Sequence, residues 1–243
     1  MRANSSEITL PPFPRGLPWL NVGMLKAHEQ RGHAVLVEFW DFCRINSLRT
    51  LPYLKAWHER YAEHGLRVVG IHTGGFECSR DPEAIEQAVT RLGIEHPVLV
   101  DSELEVWDLY GNQGWPARYL WTPDEQHLFS LHYGEGAYAE TEREIGELLR
   151  LDVEPLPPVR PEDAPDAVLA PQTADQPGLY TGPYEAGGVH VVCAGAGAVD
   201  EVAVDGCGVY TVRDHPRHTT GVLELGVRGD VEVLQTCFTP GLA

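Results

Sequence analysis

The sequence has few basic residues and no hydrophobic run long enough to cross a membrane. Its 18 Lys and Arg residues face 36 Asp and Glu residues, which gives a formal net charge of −18. A protein of this charge repels nucleic acid phosphates and anionic lipid headgroups, so neither is expected as a partner. The N-terminus also lacks the apolar segment of a signal peptide, and we therefore expect a cytoplasmic protein.

The five cysteines are far apart in the sequence, and no two of them form a CxxC pair. They are Cys43, Cys78, Cys193, Cys207 and Cys237. This spacing gives no cluster typical of a zinc site, so we expect neither a metal nor another cofactor. An odd number of cysteines in a cytoplasmic protein favours mostly reduced thiols.

The segment 37–52 is the most informative part of the sequence. It starts with apolar residues that end in Phe39-Trp40, continues through a short turn, and enters a predicted helix that contains Pro52. Trp40 and Pro52 are twelve positions apart, which is the spacing between the corresponding Trp and Pro of thioredoxin-like proteins. The segment therefore resembles a thioredoxin-type active-site loop in which no residue has been gained or lost.

Further motifs in the same order extend this resemblance over roughly residues 13–150. They are the segments 43–53, 65–73, 107–119 and 133–136, the last followed by a predicted helix. Together they resemble the DipZ-like branch of the TlpA-like, thioredoxin-like (redoxin, AhpC/TSA) family. They also resemble the thioredoxin domain of NHL-repeat proteins, where Ile-Asn lies between the two cysteines, as Ile45-Asn46 does in the corresponding place here. The resemblance implies a thioredoxin-like α/β fold and a role in cell redox homeostasis.

Within this register, the two motif cysteines are replaced. Arg44 stands in the place of the nucleophilic cysteine and Ser47 in the place of the resolving cysteine, while Cys43 lies one position too early. Dithiol exchange needs a second sulfur to resolve the mixed disulfide, and a serine hydroxyl cannot do so. The sequence thus predicts a degenerate active site in which CxxC chemistry is impossible.

Cys43 is the candidate catalytic thiol, and two interpretations of it stay open. A helix N-terminus and the neighbouring Arg44 would favour its thiolate, with Arg44 as the stabilising group. Alternatively, Cys43 is an inert, half-buried residue packed under the loop. Cys78 follows a predicted strand and is either a resolving thiol for Cys43 or an ordinary loop cysteine. The remaining three cysteines are predicted to be small buried hydrophobic residues.

The resemblance also implies a substrate groove around the loop. It would include Trp115 and Pro116, which match the cis-proline position of the family, together with Ser47 and Glu38. Glu38 occupies the place of the family's buried carboxylate, which the resemblance implies helps to transfer protons to the resolving thiol, and burial would raise its pKa. In this chain a hydrogen bond from Glu38 to a polar neighbour is an equally good interpretation.

Patterning predicts two domains joined by a Pro-rich acidic linker, with boundaries at 1–150, 151–177 and 178–243. In the first domain, helices 47–64, 82–92, 103–110 and 138–150 alternate with strands 34–40, 66–72, 97–100, 117–122 and 127–132. Beyond the linker, short β-type runs separated by Gly and Asp predict a small all-β, sandwich-like domain.

Two functions remain open from the sequence. One is a monothiol-type thiol–disulfide oxidoreductase that uses Cys43 on a thiol-containing protein or peptide. The other is a non-catalytic thioredoxin-fold module that binds a peptide or protein in the groove. Fold class does not decide between them.

Overall fold

The computed structural model describes residues 2–243, with side chains described for residues 8–26 and 28–243. The chain forms two compact units. The first comprises the described residues up to Phe42 together with Asn46–Leu156, and the second comprises Cys43–Ile45 together with Pro157–Ala243. The division after Leu156 falls inside the predicted linker.

A seven-stranded mixed sheet forms the centre of the first unit. Its strands are β1 (Arg2–Thr9), β2 (Trp19–Leu20), β3 (Ala34–Trp40), β4 (Leu66–His72), β5 (Val98–Val100), β6 (Ala117–Trp121) and β7 (His127–Tyr133). They lie in the order β1-β7-β6-β3-β4-β5-β2. The central strand β3 runs parallel to β4 and antiparallel to β6. Every residue of β3 is buried, as expected for a short apolar run in the middle of an α/β sheet.

Four helices connect and cover these strands. They are α1 (Ile45–Tyr61), α2 (Pro82–Arg91), α3 (Glu105–Tyr110) and α4 (Tyr138–Leu149). The predicted α1 was wrong by two residues at its start, because Asn46 and Ser47 lie inside the first turn. It also ends earlier, since Ala62–His64 form a 3₁₀ turn that closes on the left-handed Gly65 (φ 98°).

Two strands of this sheet were not predicted. Strand β1 is mostly polar and shows no alternation of apolar and polar residues. It pairs with β7 through an irregular register. Strand β2 has only two residues and follows a proline, yet it pairs antiparallel with β5. Neither segment carries the four-residue alternating run on which a strand prediction depends.

The second unit contains one five-stranded, strongly bulged sheet. Its strands are β8 (Gln176–Pro177), β9 (Gly182–Val199), β10 (Val202–Asp205), β11 (Gly208–Leu223) and β12 (Val227–Thr239). Strand β9 pairs with β10, β11 and β12. The all-β prediction is confirmed, but the predicted short runs are pieces of longer strands interrupted by register shifts. The Gly and Asp residues within these strands resemble turns in the sequence, so the sequence pattern divides the strands there.

The later part of the predicted linker contributes to the second unit. Leu169 forms a bridge with Leu242, and the amide of Thr173 donates to Glu185 O at 2.8 Å. Strand β8 pairs with β12. These residues are therefore paired segments rather than a free connector. Among the described residues, no helix is long and apolar enough to cross a membrane.

Candidate functional site

The carboxyl ends of β3 and β4 meet at one edge of the first sheet, and the loop from Asp41 to Arg44 begins there. Trp40 is paired with His72 across the two parallel strands, and the amide of Thr73 donates to Trp40 O at 3.0 Å. Because parallel strands place their carboxyl ends together, this edge is where α/β folds build their sites.

Asp41 fixes the start of this loop. Its carboxylate accepts from the amide of Gly75 at 2.9 Å and from Ser79 Oγ at 3.3 Å, and its own amide donates to Ser47 Oγ at 3.3 Å. The buried Ser47 is thus an acceptor for the loop backbone and lies inside the first turn of α1.

His72 supports the next residue of the loop. The amide of Phe42 donates to His72 Nε2 at 3.4 Å, and the two rings stack with centroids 5.2 Å apart. Asp41 Oδ1 lies 3.7 Å from the same nitrogen. Asp41 and His72 are fully buried, and sequence analysis assigned neither of them a role. Together they hold the backbone that leads into Cys43.

Cys43 is not disulfide-bonded, and it is completely buried. Within the second unit, its Sγ lies 3.3 Å from Cys207 Sγ. Cys207 is itself disulfide-bonded and half-buried, so the prediction of an inert hydrophobic Cys207 was wrong. Cys207 belongs to the sequence Asp205-Gly206-Cys207-Gly208, which is a turn between β10 and β11. This turn sequence is the one signal that could have distinguished Cys207 from Cys193 and Cys237, which lie on strands.

The other cysteines divide into two classes. Cys78 is disulfide-bonded, whereas Cys193 and Cys237 are free and buried. The expectation of reduced thiols therefore fails for Cys78 and Cys207. Since Cys43 is not disulfide-bonded, it is not bridged to Cys78 in this structure. A sulfur in a disulfide cannot act as a thiolate ligand, so in this state neither bonded cysteine offers a metal ligand.

Arg44 follows Cys43 and donates from Nη1 to Gln235 Oε1 at 3.0 Å. Gln235 lies on β12, and this contact orients the guanidinium. Its role in stabilising a thiolate remains a prediction.

Glu38 is buried in the middle of β3 and pairs with Arg118 of β6. Arg118 Nε donates to Glu38 Oε2 at 3.2 Å, and Arg118 Nη1 donates to Thr141 Oγ1 at 2.8 Å. Desolvation raises the pKa of Glu38 to about 7 despite the opposing charge of Arg118. Glu38 Oε1 has no hydrogen-bond partner among the described residues. The expected hydrogen bond to a polar neighbour is present, and a part in proton transfer remains a prediction.

The Trp115–Pro116 peptide bond is cis, as the resemblance implied. The ring of Trp115 packs against Trp107 of α3 with centroids 4.3 Å apart, and Pro116 precedes β6 directly. Strand β6 pairs with β3, which leads into the Cys43 loop. A substrate groove at Trp115 and Pro116 remains a prediction.

Comparison with known proteins supports the fold and the family. No family model matches the chain. Protein DipZ of Mycobacterium tuberculosis is 35% identical over 176 residues, which cover 70% of this chain but only 24% of DipZ. The chain thus spans about a quarter of that relative.

Two further similarities involve proteins named for thiol–disulfide chemistry. Thiol-disulfide oxidoreductase ResA of Halalkalibacterium halodurans is 23% identical over 128 residues, which cover 52% of this chain and 66% of ResA. The crystal structure of a thiol-disulfide isomerase from Corynebacterium glutamicum matches with a TM-score of 0.52 at 21% identity, over 57% of this chain and 96% of that one. With its sheet order and its cis-proline, the chain belongs to the thioredoxin-like redoxin family.

Proposed function

We propose that the chain is a thiol–disulfide oxidoreductase in which the single thiol of Cys43 replaces the CxxC pair. The observation that carries this proposal is the 3.3 Å separation between Cys43 Sγ and Cys207 Sγ, with Cys207 already in a disulfide. Exchange requires a thiolate next to a disulfide sulfur. A thioredoxin supplies both sulfurs from one helix turn, whereas this chain brings the second one from a distant turn of the sequence.

The substrate class is a protein or peptide with two thiols. The Cys43 thiolate attacks Cys207 Sγ to form a Cys43–Cys207 disulfide, and the former partner sulfur of Cys207 leaves as a thiolate. A substrate thiolate attacks this disulfide to form a mixed disulfide, and the second substrate thiol then displaces the chain. The substrate leaves oxidised by two electrons, Cys43 and Cys207 are left as thiols, and glutathione disulfide re-forms their bond while it is reduced to two glutathione thiols.

The surroundings of Cys43 favour a reactive thiol over an inert one. The residue lies two positions before the start of α1, and Arg44 places a guanidinium next to it; both influences favour a thiolate. Asp41 and His72 hold the preceding backbone in a fixed position, so the sulfur does not depend on a mobile loop. Cys193 is buried like Cys43 but lies in the middle of β9 without these two influences, and burial raises the pKa of its thiol to about 11.

Oxidation of a dithiol peptide in a glutathione buffer tests the proposal. A fluorescent peptide with two cysteines is incubated with catalytic amounts of the protein, and formation of its disulfide is followed. We expect Cys43→Ser to lower the catalysed rate at least tenfold, while the matched control Cys193→Ala keeps it. Equal rates for Cys43→Ser and the parent, or no rate above the uncatalysed reaction, would overturn the proposal.

A further inference from the structure

We infer that a cavity beside the end of β1 binds a small organic carboxylate with an apolar body. The cavity measures about 390 Å³, a volume that suits a small molecule. Its lining comes from residues in the segments 9–15, 24–26 and 28–31 and from Glu125 and Gln126, all within the first unit. Among the described residues no cysteine lines the cavity, so its ligand is independent of the thiol exchange proposed above.

Backbone hydrogen bonds join the segments that form the cavity. The amide of Leu10 donates to Gln126 O at 2.8 Å. The amide of Gly32, which follows Arg31, donates to Pro123 O at 2.8 Å. Both bonds tie an N-terminal segment to the turn between β6 and β7. The walls of the cavity are therefore positioned by the fold of the first unit, which lowers the cost of ordering them around a ligand.

The floor of the cavity is apolar. Leu10 and Phe13 are each 7% exposed and belong to the hydrophobic core of the first unit. The ring of Phe13 packs edge-on against Trp19 with centroids 5.3 Å apart, which fixes its orientation. Met24 lines the same cavity, is exposed, and has a flexible thioether that adapts to the shape of a ligand. An apolar ligand body that covers these side chains would remove apolar surface from water.

The charge of the cavity is opposite to that of the chain. The chain carries twice as many acidic as basic residues, yet Arg15, Lys26 and Arg31 line the cavity together with one carboxylate, Glu125. Lys26 Nζ is paired with Glu29 Oε1 at 2.6 Å. The side chains of Arg15 and Arg31 form no ion pair or hydrogen bond with another described residue. Two guanidiniums beside one carboxylate favour a ligand with a single negative charge, and the planar guanidinium matches a carboxylate.

A buried amide donor identifies the acceptor that the ligand supplies. Gln126 lines the cavity and is only 6% exposed. Its Nε2 atom has no hydrogen-bond partner among the described residues. A buried N–H group without an acceptor is destabilising, and a carboxylate oxygen of the ligand would accept from it. The cavity thus combines an apolar floor, two guanidiniums and one unsatisfied amide donor.

An NMR titration of the whole ¹⁵N-labelled chain with octanoate tests the site. We expect saturable shifts of the Gln126 side-chain amide signals, which Gln126→Leu identifies by removing them, and one octanoate bound per chain. Acetate lacks the apolar body, and octylammonium has the opposite charge. Each should bind at least tenfold more weakly than octanoate, because it satisfies only one part of the cavity.

Three variants separate the contributions of the guanidiniums and the amide. Arg15→Ala and Arg31→Ala should each weaken octanoate binding at least threefold, while Arg91→Ala, at an exposed position on α2, is the matched control and should leave it unchanged. Gln126→Leu should weaken binding several-fold without lowering the midpoint of thermal unfolding, since it removes a donor that has no acceptor. A merely structural role of Gln126 would lower the midpoint and leave the affinity unchanged.

Three results would overturn the assignment of this site. They are equal affinity for octanoate and acetate, equal affinity for octanoate and octylammonium, and octanoate binding that is the same in Arg15→Ala, Arg31→Ala and the parent. If a variant does not fold, the comparison of the three ligands on the parent protein decides. Peptide oxidation by Cys43 is measured separately, so failure of either proposal leaves the other standing.

Discussion

Cys43 Sγ and Cys207 Sγ lie 3.3 Å apart although 164 positions separate the two residues in the sequence. A thioredoxin-like protein normally keeps its two sulfurs three positions apart, so loss of CxxC would end the chemistry of the family. Here a turn of the second unit supplies a disulfide sulfur to the thiol that remains. We propose that the redox site has moved to these two residues.

Restoring the motif should create a conventional active site. Arg44→Cys together with Ser47→Cys, made in the Cys43→Ser background, places two thiols in the register given by Trp40 and Pro52. We expect measurable dithiol-dependent insulin reduction from this variant, because the nucleophilic and resolving sulfurs are both present. Ser47→Cys without a cysteine at position 44 is the matched control and should be inactive. A folded but inactive variant would contradict the register.

Arg44 should affect the rate through its charge. Arg44→Ala should slow Cys43-dependent peptide oxidation several-fold and move the midpoint of its pH–rate profile upward, because a neighbouring cation favours the thiolate. Arg44→Lys should keep most of the rate and the profile. Arg91→Ala, at an exposed position on α2, is the control for a general loss of positive charge. An unchanged pH profile in Arg44→Ala would show that the guanidinium has only a structural role.

Glu38 should make the stability of the protein depend on pH. Burial raises its pKa from 4.5 to about 7, so the folded state holds this proton more tightly than the unfolded chain. Its stabilising contribution is complete below about pH 4.5 and declines as the pH rises through about 7. We expect the free energy of unfolding of the parent to fall relative to Glu38→Gln over this range, by at most about 3 kcal/mol.

Urea unfolding at several pH values from about 4 to 8 measures this effect. Glu86→Gln changes an exposed carboxylate on α2 and provides the control for net charge. If the difference in unfolding free energy between the parent and Glu38→Gln stays constant with pH, Glu38 has the same pKa in the folded and unfolded states, and the proposed effect of burial is wrong.

The first unit should be more stable as a fragment when it extends to Leu156. The buried Glu142 carboxylate accepts from Arg60, from the Tyr61 hydroxyl and from the amide of Leu156, at 2.9, 2.6 and 2.7 Å. A fragment ending at Arg150 loses the last of these donors. We expect it to be about 1–3 kcal/mol less stable than residues 1–156, since a buried acceptor loses a partner.

Two variants of the longer fragment isolate that hydrogen bond. Leu156→Pro removes the amide donor and should reproduce part of the loss, whereas Leu156→Ala keeps the donor and should cost less. Denaturant unfolding of the four fragments gives the comparison. Equal stability of the fragments ending at Arg150 and Leu156 would place the boundary where sequence analysis predicted it.

Much of the first unit could be predicted from the sequence because its elements carry local signals. Strands β3 and β4 are bounded as predicted, since each is a short apolar run with clear ends. The start of α1 was misplaced, because Ser47 looks like a cap but its hydroxyl is used by Asp41 across the loop. Local preference for a capping position was overridden by a tertiary contact.

The candidate site could be predicted only in part. Loss of CxxC, the position of Cys43 and the burial of Glu38 follow from the register of one segment. The role of Cys207 could not be predicted, because its neighbours in the sequence form no motif that indicates a contact with Cys43. The two residues come close only in the folded chain. The strands of the second unit were divided for a related reason: Gly and Asp within them resemble turns until pairing with β9 is known.

The most direct test is the identity of the cysteines that are linked at equilibrium. The native protein is equilibrated in glutathione buffers over a range of potentials, quenched with acid, alkylated and mapped by mass spectrometry. If Cys43 is the exchanging thiol, a Cys43–Cys207 disulfide appears as a populated species and disappears at strongly reducing potentials. If Cys43 is recovered as a free thiol at every potential at which Cys207 is still oxidised, Cys43 does not take part in the exchange and the account is contradicted.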